Sequence, residues 1–163
     1  MAATSTNKQP LLVDHVLHVV KNLDKASNNG MDVIGTNTAE LLIDSTTQDG
    51  AIVEDIYLIA RSTTPYTVNL YMSSARDYLR PNEAVFVGTI ESATTVGHFR
   101  RWRDMPRALT PTPHTGNTDG LEETQPLHNR AFYLPKGYSL WAARESDSNV
   151  SDGPIIGCQG GWY

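Results

Sequence analysis

The sequence predicts an all-β protein: an antiparallel β-sandwich or jelly roll of about eight strands, with one N-terminal amphipathic helix and one long irregular loop. Many short runs alternate apolar and polar residues with a period of two, which is typical of half-buried strands. Turn residues separate these runs. A helical period occurs in one segment only, near the N terminus. The length of 163 residues suits a single folded domain.

The clearest alternation lies between Gly50 and Met72. Its first run places apolar side chains on one side, and its second run does the same after the segment Ser62–Pro65, which has the composition of a turn. We therefore expect a β-hairpin whose apolar face forms the centre of the core. The residues on that face are Ile56, Leu58, Ala60, Val68, Leu70 and Met72.

The N-terminal part of the chain has a different pattern. Residues 1–9 are small and polar, and they predict a flexible arm that orders only on a partner. Residues 10–25 predict a helix, because at 100° per residue their apolar side chains fall in one stripe. The expected organisation is an arm over 1–9, a helix and connector over 10–35, and a β-sandwich domain over 36–163. The stripe consists of Leu12, Val13, Val16, Val19, Val20 and Leu23.

The remaining strands are predicted from short apolar runs between turn residues. Residues 135–137 read as a tight turn in which Gly137 is free to take a positive φ. Residues 96–102 either continue the sheet or leave it. The predicted strands cover residues 31–34, 39–44, 84–90, 130–134, 138–144 and 154–163.

A long segment over residues 100–129 contains four prolines and almost no periodicity, so we expect a surface loop that lies on another molecule. It opens with a cluster of basic and aromatic residues. Arg and Trp are favoured at protein interfaces, which makes this cluster a candidate for partner binding, with a simply solvated loop as the equal alternative. Nucleic acid is a weaker third reading, because the loop turns acidic and the net charge is −5. The cluster comprises Arg100, Arg101, Trp102, Arg103 and Arg107.

No motif in the sequence indicates catalysis or a cofactor. His15 and His18 lie three residues apart, but no further metal ligand follows by spacing, and a solvated helix face is the favoured interpretation. Cys158 reads as a buried, inert thiol. There is no apolar run of about 20 residues and no N-terminal signal, so we expect a protein made in the cytoplasm without a membrane partner. These observations predict a non-enzymatic protein that needs no cofactor.

One phrase supports a family resemblance. The stretch Leu134-Pro135-Lys136-Gly137-Tyr138-Ser139-Leu140 is similar to the L-P-x-G-x-S-L hairpin of small β-sandwich virion proteins of tailed bacteriophages, especially head decoration (cement) proteins. The order of strands over residues 39–163 resembles the same family. The resemblance implies a homo-oligomer, often a trimer, that binds the major capsid protein on the outside of the capsid. It also implies a location in the virion and no enzymatic activity.

Two questions stay open at this level. The helix stripe Leu12, Val16, Val19 and Leu23 packs either on its own sandwich or against another subunit, and either this helix or the long loop makes the capsid contact. A tail, baseplate or adaptor component is the alternative within the same class. A carbohydrate-binding module is the alternative from another class, with rings presented on a sheet face by Tyr57, Tyr71, Trp141 and Trp162.

Overall fold

The computed structural model describes residues 15–25, 39–77, 79, 83–102, 131–145 and 150–162. Within these ranges the chain is all-β, with nine strands in two antiparallel sheets and no helix. The all-β prediction and its two-sheet arrangement are therefore confirmed. The strands are β1 (His15–Asn22), β2 (Glu40–Asp44), β3 (Gly50–Ile59), β4 (Thr67–Ser73), β5 (Ala84–Glu91), β6 (Phe99–Arg101), β7 (Phe132–Pro135), β8 (Ser139–Arg144) and β9 (Ile155–Trp162).

The first sheet has the order β1-β9-β3-β6, and β7 pairs with the beginning of β3 on the same side as β6. The second sheet has the order β2-β8-β4-β5. The core lies between the sheets because alternate side chains of each strand point inward. Each fully buried aliphatic side chain stabilises the fold by about 1.5–3 kcal/mol. The inward residues include Val53, Ile56, Leu58, Leu134, Ile156 and Cys158 from the first sheet and Val68, Leu70, Leu140 and Ala142 from the second.

Most strands lie where the sequence predicts them. The predicted strands over 39–44, 84–90, 130–134, 138–144 and 154–163 correspond to β2, β5, β7, β8 and β9. Ile56, Leu58 and Ala60 share the buried face of their segment, as predicted. The open question about residues 96–102 is resolved, since Phe99–Arg101 pairs with β3 as β6. The predicted strand over 31–34 lies outside the described residues.

The predicted N-terminal helix is wrong over the part of it that the structure describes. Residues 15–22 form strand β1, which pairs with β9 from His15 opposite Trp162 to Asn22 opposite Ile155. Val16 is 83% exposed whereas Leu17 is 3% exposed, which is the alternation of a strand. The physical reason is that β9 needs a partner on this side, and the β-branched valines of the segment favour a strand once such a partner exists. Residues 1–14, with the predicted arm and Leu12, lie outside the described residues.

The predicted hairpin between β3 and β4 is also wrong. Both segments are strands, but β3 belongs to the first sheet and β4 to the second, so residues 60–66 carry the chain from one layer to the other. The phrase from Leu134 to Leu140 does the same, because β7 lies in the first sheet and β8 in the second. A period of two reports which face of a strand is buried, and it does not report which strand lies beside it. Gly137 has φ +86°, which confirms the predicted turn geometry.

Two buried polar or aromatic side chains join the layers. The Arg144 Nε–H donates to the carbonyl of Leu23 at 3.0 Å, and Nη2 donates to that of Lys25 at 3.1 Å, so β8 holds the chain that follows β1. Burial lowers the pKa of Arg144. The Trp102 side chain is buried in the core beside Gly88 of β5, and the Trp102 backbone N–H donates to the carbonyl of Ile56 at 2.8 Å. Trp102, the last residue of its described segment, is thus held in place by the core.

Candidate functional site

The outer face of the first sheet carries a pocket with a volume of about 310 Å³. Strands β1, β3, β6 and β9 all contribute to its lining. One part of the lining is polar, with His18, Asp55, Arg101 and Gln159, and the other is largely apolar, with Tyr57, Ile59 and Phe99. Gly97, in the connection between β5 and β6, lies at its margin. A concave, mixed surface of this size is typical of a site for a small ligand.

Strand register brings these residues together from distant parts of the sequence. His18 lies opposite Gln159, which in turn lies opposite Asp55. The neighbouring row contains Gly157, Tyr57 and Arg101. Because Cys158 points into the core, positions 157 and 159 on either side of it face outward.

Glycine at position 157 makes room for the Tyr57 ring, which lines the pocket. A Cβ built at Gly157 would lie 2.2 Å from Cζ of Tyr57, so the tyrosine ring occupies the space that a side chain would need. The ring crosses β9 and reaches β1, where the Tyr57 hydroxyl lies 3.3 Å from Nε2 of His18. Both residues line the pocket.

The charged residues of the pocket are paired with each other. Nε of Arg101 lies 3.3 Å from Oδ2 of Asp55, whose side chain is only 13% exposed. Desolvation raises the pKa of Asp55, and the Arg101 charge and the Ile56 N–H oppose this shift. The Arg101 guanidinium carbon also lies 5.7 Å from the centroid of the Phe99 ring. The arrangement offers hydrogen-bond donors and acceptors beside aromatic surface, with the two charges already compensated.

A second kind of surface lies at the edges of the sheets. Among the described strands, β1 ends the first sheet and carries the exposed Val16 and Val20. In the same ranges β5 ends the second sheet and carries the exposed Val85 and Phe86. We call these two groups the edge patches. Edge strands present unpaired backbone groups, and apolar side chains on them are typical of contact with another chain.

The predicted helix stripe does not form one surface. Val16 belongs to an edge patch, Val19 packs partly against the core, and Leu23 is buried. The structure therefore accounts for Leu23 as a core residue.

The basic cluster is likewise divided. Arg100 lies 3.5 Å from Glu91 on the surface, Arg101 lines the pocket, and Trp102 is buried in the core. Arg103 and Arg107 lie outside the described residues, as does the rest of the predicted loop up to residue 129. Their role as partner-binding residues stays a prediction.

The four rings considered for carbohydrate binding have different environments. Tyr71 and Trp141 are buried in a cluster with Leu79 on the outer side of the second sheet, and Trp162 is partly buried against the core. Tyr57 is the one of the four that lines the pocket. No local pattern in the sequence places Phe99, Asp55 or Gln159 beside Tyr57.

The sequence contains one signal that points to this pocket. Gly157, Gly160 and Gly161 interrupt the closing strand, and glycine inside a strand often marks a close approach by another group. The structure shows such approaches at two of them, Gly157 and Gly160. The partners of these glycines follow from register alone, which no local pattern supplies.

Cys158 is buried, as predicted, and desolvation raises its pKa to about 12. Among the described residues, no group of three or more His, Cys, Asp or Glu side chains is placed to hold a metal ion. The same ranges contain no helix that is long and apolar enough to span a membrane. Comparisons with protein-family models, with curated proteins and with solved structures found no significant match to this chain.

Proposed function

We propose that the protein is a non-enzymatic structural protein of a bacteriophage virion, a decoration or cement protein that binds the major capsid protein. In this role it joins neighbouring capsid subunits on the outside of the shell and stabilises them. It acts as a homo-oligomer, which we propose to be a trimer. The observation that carries this proposal is the pair of edge patches.

The edge patches suit a protein whose work is contact. Val16 and Val20 lie on one edge of the sandwich, and Val85 and Phe86 lie on an edge of the other sheet. A rigid block with two separate apolar edges can contact two neighbours at once, as a protein at a subunit junction must. Burying such side chains gains about 25 cal/mol for each Å² of apolar surface removed from water.

The order of strands supports the same proposal at the level of the fold. We infer a jelly roll, because each sheet combines strands that are distant in sequence: β1-β9-β3-β6 in one and β2-β8-β4-β5 in the other. Jelly rolls recur in viral capsid proteins and in lectins. This support is an analogy between folds. The edge patches provide the specific residues for a contact.

The proposal is tested by the copy number of the protein in purified virions. Quantitative mass spectrometry should find it in a fixed ratio to the major capsid protein, near one copy or one trimer for each class of subunit junction. A few copies for each particle would support a tail, baseplate or adaptor component instead. Absence from the virion would overturn both readings.

A pair of matched variants tests the edge patches directly. Val85→Lys places a charge in the β5 patch, whereas Val96→Lys places one at a similarly exposed valine outside the patches; the two side chains are 55% and 58% exposed. We expect the first variant to occupy emptied capsids less than the wild type and the second to bind normally. Equal occupancy by both variants would contradict the role of this patch.

A further inference from the structure

We propose that the pocket on the outer face of the first sheet binds one unit of a neutral saccharide. This inference goes beyond the structural role proposed above and does not depend on it, because the pocket is distinct from the β5 patch and has its own chemistry.

The shape of the pocket suits a single ring-shaped ligand. Its volume of about 310 Å³ lies at the lower end of the range for small-ligand sites, which is roughly 300–1,000 Å³. The Tyr57 ring lies over Gly157 of β9 and forms part of the lining. Phe99 rises from the neighbouring strand β6 with 60% of its surface exposed. The Arg101 guanidinium lies over one face of the Phe99 ring, 5.7 Å from its centroid, so a sugar ring would stack on the opposite face.

The chemistry of the lining matches a sugar. A pyranose ring has an apolar C–H face and a rim of hydroxyl groups, so it needs aromatic surface on one side and both donors and acceptors at its edge. Phe99 and Tyr57 supply the aromatic surface. Asp55 accepts hydrogen bonds, Arg101 donates them, and the Gln159 amide does both. These groups enter the same pocket from three strands.

The balance of charge selects a neutral ligand. Arg101 is already paired with Asp55 at 3.3 Å, and the two charges compensate each other. An anion such as phosphate would have to compete with the carboxylate for the guanidinium, and it would be repelled by the same carboxylate. Hydroxyl groups can bridge the pair without breaking it. We therefore infer a neutral sugar in preference to a phosphorylated or acidic one.

The test is a titration of the ¹⁵N-labelled full chain, followed by NMR, with glucose, galactose, mannose and N-acetylglucosamine in turn. Isolated sugar units bind weakly, so each is added to roughly ten times a millimolar Kd. At least one sugar should shift the amide signals of Gly157 and Gln159 in a saturable way. Inorganic phosphate, added in parallel, should leave them in place.

Two matched variants assign the binding to the pocket. Phe99→Ala removes the stacking face and should weaken binding by about three- to tenfold, the energy of one aromatic contact. Tyr138→Ala removes an aromatic side chain with 39% exposure in the connection between β7 and β8 and should leave the Kd unchanged. Both positions are exposed, so unchanged melting temperatures are expected and serve as the check on folding.

The inference is overturned if none of the four sugars shifts the pocket amides, if phosphate binds more tightly than any of them, or if the Phe99 and Tyr138 variants behave alike. None of these results bears on the copy number in the virion. Failure of the sugar site and failure of the structural role are therefore distinguishable.

Discussion

At the scale of single residues, two glycines of β9 meet different obstacles. A Cβ at Gly157 would lie 2.2 Å from the Tyr57 ring, whereas a Cβ at Gly160 would lie 1.9 Å from the backbone carbonyl oxygen of Ile52. A side chain can rotate away, but a paired backbone strand cannot. The two positions should therefore respond differently when the obstacle is removed.

We expect Gly157→Ala to lower the free energy of unfolding by about 1–3 kcal/mol, as overpacking does. In a Tyr57→Ala background the same substitution should cost at least roughly 1 kcal/mol less, because the two positions are in contact and their effects are not additive. Gly160→Ala should destabilise the protein by a similar or larger amount in both backgrounds. Urea unfolding of the six proteins measures these differences, and additive effects at 157 would contradict the described position of the Tyr57 ring.

The pKa values of two aspartates should be shifted in opposite directions. Desolvation raises the pKa of Asp55 above 3.8, while the hydrogen bond and charge of Lys136 lower that of Asp49 below 3.8. Between 3.8 and its folded pKa, Asp55 binds more protons in the folded than in the unfolded state. Its contribution to the free energy of unfolding is therefore largest below 3.8 and falls as the pH rises through that window.

The pKa values of Asp55 and Asp49 can be measured in one sample by NMR titration of the carboxyl carbons. The midpoint of Asp55 should lie above that of Asp49, and Asp55→Asn should remove the corresponding fall in stability with rising pH. Asp49→Asn serves as the matched control and should leave the Asp55 midpoint unchanged. A midpoint for Asp55 below 3.8 would show that its ion pair with Arg101 outweighs burial.

At the scale of elements, adjacent residues of strand β1 differ sharply in solvent exposure. Leu17 points into the core and Val16 points into solvent. Leu17→Ala should therefore lower the free energy of unfolding by about 2–5 kcal/mol, and Val16→Ala should change it by less than about 0.5 kcal/mol. Denaturant unfolding checks both. A large effect at Val16 with a small one at Leu17 would instead favour the helical stripe, in which Val16 faces the core.

The sequence predicts the strands better than it predicts their partners. Alternation within β3 identifies Ile56 and Leu58 as buried, because that signal is local and depends only on the period of the strand. The pairing of β3 with β9 involves residues that are far apart in the chain, and no local pattern specifies it. For β1, the spacing of the valines fits a helical stripe, and the edge of β9 decides the outcome in favour of a strand.

The pocket shows the same limit at a candidate site. His18, Tyr57, Phe99 and Gln159 belong to four different strands, and only their register makes them neighbours. The sequence shows the arginines after residue 99 as a cluster and predicts a partner contact for Arg101, whereas the structure pairs Arg101 with Asp55. Composition identifies residues suited to an interface, and it cannot show which of them already have an intramolecular partner.

At the scale of the whole molecule, one apolar core joins both sheets. Leu58 and Ile156 from the first sheet and Leu70 and Leu140 from the second belong to the same buried cluster. Neither sheet can bury its inner face alone, so we expect a single cooperative unfolding transition. Circular dichroism, which reports the strands, and tryptophan fluorescence should give the same midpoint in urea. Two separate midpoints would show that the layers unfold independently.

The described segments on either side of residues 103–130 pair with neighbouring parts of β3. Arg101 lies beside Tyr57 and Phe132 lies beside Val53, so the two pairings lie four positions apart on β3, roughly 13 Å along the strand. The connecting segment has to span only a short gap, and the entropic cost of closing a loop rises slowly with the length of the loop. Residues 103–130 can therefore be replaced by a foreign epitope or a short linker. We expect the pairing of β6 and β7 with β3 to be kept.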